Sequence, residues 1–468
     1  MTGLSIYDCI LFLVYLLLVI FIFRKLKERY KDNEKMTFYF TWGFRIKVFM
    51  IVIYTLLAIY AIRGDSVDLY YGEGAHFKDL IVNGNENLGL LFTNGGKYID
   101  NLASDTEKGY LSMENNYMVV KISIVLCMLT FSSFLVVNLL IGFIAFLGSW
   151  QLYTFFLRLY PGLHKQLAIA CMAIPTVIFW SSGISKDTVC MASIGFLSKG
   201  LYDIIVEKRN MLLNFFIVAL AVYLIYSIKS YIIISYLPLF LFFIAIYTIK
   251  KTKNELLKMF FRVFIPLVLA GSIFFVLQNS EELFQEYSSE KILDSVSKTQ
   301  NAFTNQSNSF DGSFFSLGEF NGSIGGLIRM APMAIGTTFF RPFIWECRNL
   351  IMYLSAFESL AFLFFTLGIF FRRKGFVTFF KQFFTNPICF YCLSFALIFA
   401  AFIGVTTFNF GSLVRYKIPC TPFFMISLVI INHARLEKIR MADEEAAAAA
   451  DKISTIPVTD QNNDALPV

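Results

Sequence analysis

Long apolar runs, broken by short polar stretches, fill most of this chain. A helix needs about 20 mostly apolar residues to cross a hydrocarbon core of roughly 30 Å. About eleven runs approach or exceed that length, near 6–23, 44–62, 117–147, 167–183, 188–206, 211–228, 230–249, 259–278, 350–371, 387–408 and 417–432. They do not alternate with period two, which excludes a β-barrel. The pattern therefore predicts an all-α polytopic membrane protein with two large polar loops, 64–116 and 279–349. The first run lacks a basic leader and a small-residue cleavage site, and Arg24, Lys25, Lys27, Arg29 and Lys31 follow it. It is expected to remain as a span.

Lysine and arginine gather on alternate connections: 24–35, Arg158 with Lys165, Lys208 with Arg209, 250–258, 372–374 and 435–440. Basic loops stay on the cytoplasmic side. That rule places the N-terminus outside and the C-terminus in the cytoplasm, and it exports both long loops. Such a layout suits a bacterial inner membrane. The chain then divides into a leading span with its basic loop (1–43), a multi-span membrane domain (44–440) and a disordered cytoplasmic tail (441–468). No internal repeat of the kind common in transporters is visible.

Composition narrows the function classes. Of 468 residues 57% are hydrophobic and 16% charged, where a soluble domain carries about a quarter charged. Three histidines leave little material for a histidine-ligated metal centre or a histidine-based triad. The net charge of +7 comes from clusters between apolar runs, so nucleic acid is not an expected partner. Cys389 and Cys392 form a CxxC inside an apolar run without a second pair, which argues against zinc.

Candidate chemistry lies at the exported helix ends. After the second span the chain reads Arg63-Gly-Asp65-Ser-Val-Asp68-Leu-Tyr-Tyr. Two carboxylates within about one helical turn can approach one cation or one acidic proton, or can simply cap the loop start. A second cluster runs from Pro175 through Trp180 and Gly183 to Lys186 and Asp187. Asp187 has a helix-capping reading. Lys186, Lys229, Arg329, Arg341, Arg348, Arg415 and Lys417 all fall on the exported side against the positive-inside bias. Lipid phosphate is the natural partner for such cations, and snorkelling to ordinary headgroups is the bland alternative. Arg341 with Glu346 is either a surface ion pair or part of a lipid-entry groove, and Arg415-Tyr416 opens the last span. Deeper in the runs lie Glu358 and an i, i+4 pair, Lys199 with Asp203.

This arrangement resembles the GT-C superfamily of membrane glycosyltransferases, which includes protein O-mannosyltransferases and aminoarabinose transferases. The likeness rests on Gly-Asp65-Ser-Val-Asp68-Leu-Tyr-Tyr in a first large exported loop, on 175–187 at another outer helix end, and on Arg415-Tyr416 before a proline-containing span. The extra leading span and the lack of an Asp-Glu doublet depart from that pattern. The resemblance implies a polyprenyl-phosphate-linked sugar donor and a first-loop carboxylate as base or metal ligand, here Asp65 or Asp68. Lys186, Arg341 and Arg415 would then hold the donor phosphate, supported by Asp187, Glu346 and Tyr416. A divalent cation, Mg or Mn, would sit on Asp65 and Asp68. The acceptor would be a glycan, a lipid or a protein.

Two other enzymes or carriers share the layout. A lipid-linked oligosaccharide polymerase or ligase would lean on the arginines rather than on a carboxylate. A transporter or flippase of lipid-linked saccharides would need a polar path at depth, for which the sequence offers Glu358, Asn138 and few others. A noncatalytic scaffold of an envelope assembly machine would tolerate single substitutions at the outer charges.

Overall fold

The computed structural model describes residues 3–62, 64–84, 86, 88–93, 114–251, 324–348, 350–407 and 409–454. Among them the chain is helical almost throughout, with no strand. α1 (Ile6–Glu28) and α2 (Glu34–Leu57, prolonged by a π turn over Ala58–Ile62) form the first hairpin. A π turn (Ser66–Tyr71), α3 (Gly72–Val82) and α4 (Glu114–Leu129) pack together beyond its end. α5 (Phe134–Leu159), α6 (His164–Met172), α7 (Pro175–Trp180) and α8 (Lys186–Tyr202) follow, then α9 (Met211–Lys251). α10 (Ile324–Phe340), α11 (Leu350–Phe371), α12 (Gly375–Thr385), α13 (Pro387–Thr406), α14 (Phe410–Tyr416) and α15 (Thr421–Ser454) complete the described chain.

Seven of these helices are long and apolar enough to cross a membrane, eight if the bent pair α14–α15 is one span. The chain is thus an α-helical integral membrane protein. Of the expected eleven runs, 259–278 lies outside the described residues, as does most of the loop 279–349. The run 117–147 is not one helix: it breaks at 130–133, where Phe131 and Ser132 take left-handed backbone angles. The run 167–183 is two short helices, α6 and α7, separated before Pro175. Residues 324–340, expected in an exported loop, are α10, packed along α13 so closely that Gly404 lies against the Ala334 carbonyl. The alanine-rich stretch after Met441 continues α15 to Ser454.

α9 is folded back on itself. Val218 lies against Gly200, while Tyr247 reaches Tyr202. A straight helix would hold residues 218 and 247 about 43 Å apart. The reversal falls at Lys229, the one residue of α9 with non-helical backbone angles. Its two arms thus match the expected runs 211–228 and 230–249.

α5 and α8 meet backbone to backbone, since a Cβ on Gly195 would come within 1.9 Å of the Gly148 carbonyl. Small residues permit this contact where helices cannot gain from water exclusion. The pairing sets the depth of the turn joining α7 to α8. The Ser182 carbonyl lies against Gly142, which is eight residues, or about 12 Å, into α5. The turn is recessed below the helix ends around it.

Candidate functional site

Four charged side chains meet above that recessed turn. Asp187 Oδ1 accepts from Lys229 Nζ at 2.5 Å, and its Oδ2 lies 3.8 Å from Arg415 Nε. Arg415 Nη1 lies 3.5 Å from Asp65 Oδ2. The series Lys229, Asp187, Arg415, Asp65 thereby joins the α9 reversal, the start of α8, the end of α14 and the loop after α2. Burial falls along it: the side chains of Asp187 and Lys229 are 1% and 6% exposed, that of Arg415 24% and that of Asp65 40%. Aromatic faces enclose the cations, with Lys229 4.7 Å from the Tyr416 centroid and Arg415 5.1 Å from that of Trp180. Arg415 Nε is buried without a hydrogen-bond partner. The exposed part of this guanidinium, held beside two carboxylates, can receive a further oxyanion.

Buried polar residues hold α7 and the turn after it in place. α7 has only six residues, so most of its backbone groups need outside partners. At its start Thr176 donates to Glu358 through its N–H (2.7 Å) and its hydroxyl (2.6 Å). At its end Lys47 Nζ donates to the Ser181 carbonyl (2.7 Å) and hydroxyl (2.8 Å) and to the Ile178 carbonyl (3.4 Å). An anion at the N-terminus and a cation at the C-terminus each complement the helix dipole. Beyond α7, Asn138 accepts from the Ile184 N–H at 2.9 Å and donates to Thr55 at 3.0 Å. Gly183 faces Tyr54 where any Cβ would collide with the ring at 1.9 Å. Ser185 then caps α8, accepting from the Thr188 N–H at 3.2 Å.

The sequence-derived candidates separate on this geometry. Asp65, Asp187, Arg415 and Tyr416 converge. Lys186 borders them, half-buried, beside Asp187. Asp68 does not share the arrangement, because its Oδ2 accepts from the Gly64 N–H at 3.1 Å and closes the local turn. Arg341 is engaged by Glu346 in an ion pair and lies over Phe410 at 5.1 Å. Its carbonyl accepts from Ser359 (3.0 Å), whose hydroxyl is 3.4 Å from the fully buried Lys417. Lys417 is therefore held inside the bundle rather than facing out. Lys199 and Asp203 do pair, joined by Arg158, at the other end of α8. Cys347 and Cys420 are free thiols, as are Cys389 and Cys392.

Sequence reasoning passed over Lys47 and assigned no role to Asn138. Lys47 stands inside an apolar run, and a charge in such a run is itself the signal. For a metal, the two first-loop carboxylates face different partners, and among the described residues no three His, Cys, Asp or Glu side chains converge. Among the described residues Asp65 and Asp68 do not share a partner. The chain matches no protein-family model, no curated protein and no solved structure.

Proposed function

We propose that this protein is a membrane glycosyltransferase that moves a sugar from a polyprenyl-phosphate-linked donor to an acceptor hydroxyl at the outer face of a bacterial inner membrane. The observation that carries the reading is the meeting of an accessible carboxylate, Asp65, with Arg415 and the buried Asp187–Lys229 pair at one helix-end recess. Asp65 takes the acceptor hydroxyl proton as the acceptor oxygen bonds to the anomeric carbon. The bond from that carbon to the phosphate oxygen breaks, and the phosphate departs with the electron pair. Arg415 and Lys186 receive its charge, and a general base of this kind contributes roughly 10²–10⁴ in rate. Asp187 and Lys229 orient Arg415. No step is routed through a metal, since Asp68 Oδ2 is engaged by the Gly64 N–H rather than joined to Asp65.

A polymerase of lipid-linked oligosaccharides is the second reading, favoured by the central place of Arg415, with Asp65 reduced to its counter-ion. The buried polar groups do not favour a transporter, because Lys47, Asn138 and Glu358 are each spent on α7 and its turn.

Sealed vesicles containing the protein, given radiolabelled polyprenyl-phosphate sugars with and without chelator, test the proposal. Label should pass to an acceptor, and the chelator arm should leave transfer unchanged. Labelled lipid that crosses the bilayer without being consumed would replace the transferase with a carrier.

A further inference from the structure

The face opposite Asp65 carries a second concentration of charge, on α12. This helix has three faces. Phe379 and Phe383 pack on Phe370 and Phe390, with ring centroids 4.5 Å and 5.3 Å apart. Phe376, Val377, Phe380 and Phe384 share a second face and are exposed. Lys374, Thr378 and Lys381, at i, i+4 and i+7, form the third, against α15. There Lys438 Nζ donates to the Thr378 hydroxyl at 3.2 Å, and Lys374 Nζ to the Lys438 carbonyl at 3.5 Å. Lys374 and Lys381 both bear on Lys438 as like charges.

Among the described residues no carboxylate lies within ion-pair distance of these three lysines. The nearby acids are already engaged, Asp443 with Arg373 and Glu437 with His433, both at 3.3 Å. Three ammonium groups on one seam repel one another unless an anion sits among them. The exposed phenylalanine face of the same helix places that anion at a hydrocarbon boundary, where phospholipid phosphates lie. We propose that Lys374, Lys381 and Lys438 bind the headgroup of an anionic phospholipid, whose acyl chains cover Phe376, Val377, Phe380 and Phe384. The proposal does not depend on the transferase reading.

The test is retention of radiolabelled phosphatidylglycerol against phosphatidylcholine by the full chain through gel filtration in detergent. Wild type should prefer phosphatidylglycerol by about a hundredfold at low salt, from about fivefold per lysine. High salt should erase the preference. K374Q/K381Q/K438Q should lose it, and K374R/K381R/K438R should keep it. Equal retention of the two lipids by wild type, or an undiminished preference in the glutamine variant, would overturn the proposal. Should the triple variant elute as aggregate, the exposed single change Lys381→Gln decides: about a fivefold loss supports the site, and no change refutes it.

Discussion

Asp187 and Lys229 form a contact that water hardly reaches, at a helix start and a helix reversal respectively. Removing one partner of such a pair leaves a buried charge uncompensated, which costs about 3–5 kcal/mol. Asp187→Asn and Lys229→Met should each lower stability by that order, and the double variant should cost less than their sum. Denaturation in detergent, combined as a double-mutant cycle, measures the difference. Additive losses would mean that Arg415, 3.8 Å from Asp187, rather than Lys229 is the partner that matters. The two first-loop aspartates should also part ways. Asp68→Asn removes only a local turn contact at an exposed position, so transfer should stay within about threefold of wild type, with stability within about 0.5 kcal/mol.

At the scale of elements, α7 and the turn behind it are the unit on which the site depends. Lys47 reaches the end of α7 from α2, Glu358 its beginning from α11, and Asn138 the following turn from α5. Lys47→Met keeps the side-chain length but leaves the Ser181 carbonyl without its donor, about 1–3 kcal/mol, while the Ile178 carbonyl still accepts from the Ser182 hydroxyl at 2.5 Å. Because that turn carries Lys186 and Asp187, the variant should lower kcat more than it raises KM, with folded protein still reaching the membrane. A proportionate fall in activity and in folded protein would reduce Lys47 to a purely structural role. These fastenings were only partly legible in the sequence. Glu358 and Asn138 stood out as polar residues at depth, but nothing local in a run of apolar residues says which distant carbonyl a lysine such as Lys47 will reach. The breaks at 130–133 and before Pro175 were hidden for a related reason. Thr130, Ser132 and Ser133 interrupt the first run too mildly to end a span, and the break turns on left-handed Phe131 and Ser132, residue types with no particular claim to that conformation.

For the whole molecule, apolar run length carried most of the architecture. Runs near 6–23, 44–62, 188–206, 350–371 and 387–408 correspond to α1, α2, α8, α11 and α13. The reversal at Lys229 was marked by a polar interruption in an otherwise apolar stretch. α10 carries no such mark, because glycines and an arginine within 324–340 give it the composition of a loop, and its packing on α13 is a tertiary contact. Outer-side bias singled out Lys186, Lys229 and Arg415 one by one, and first-loop position singled out Asp65. Their convergence is a property of helix packing: close α5–α8 contact recesses the 181–185 turn, and the bend of 66° between α14 and α15 brings Arg415 down to it. The molecule thus gathers charges from four chain segments at one face, and a separate basic seam at the other.

The proposed transfer turns on Asp65 acting as the base beside Arg415. Transfer of radiolabelled sugar from polyprenyl phosphate by Asp65→Asn, compared with wild type at equal amounts of folded membrane protein, addresses it directly. Transfer should fall by about 10²-fold or more, with donor binding retained. Transfer at the wild-type rate by Asp65→Asn would contradict it and leave Asp65 as a counter-ion of Arg415.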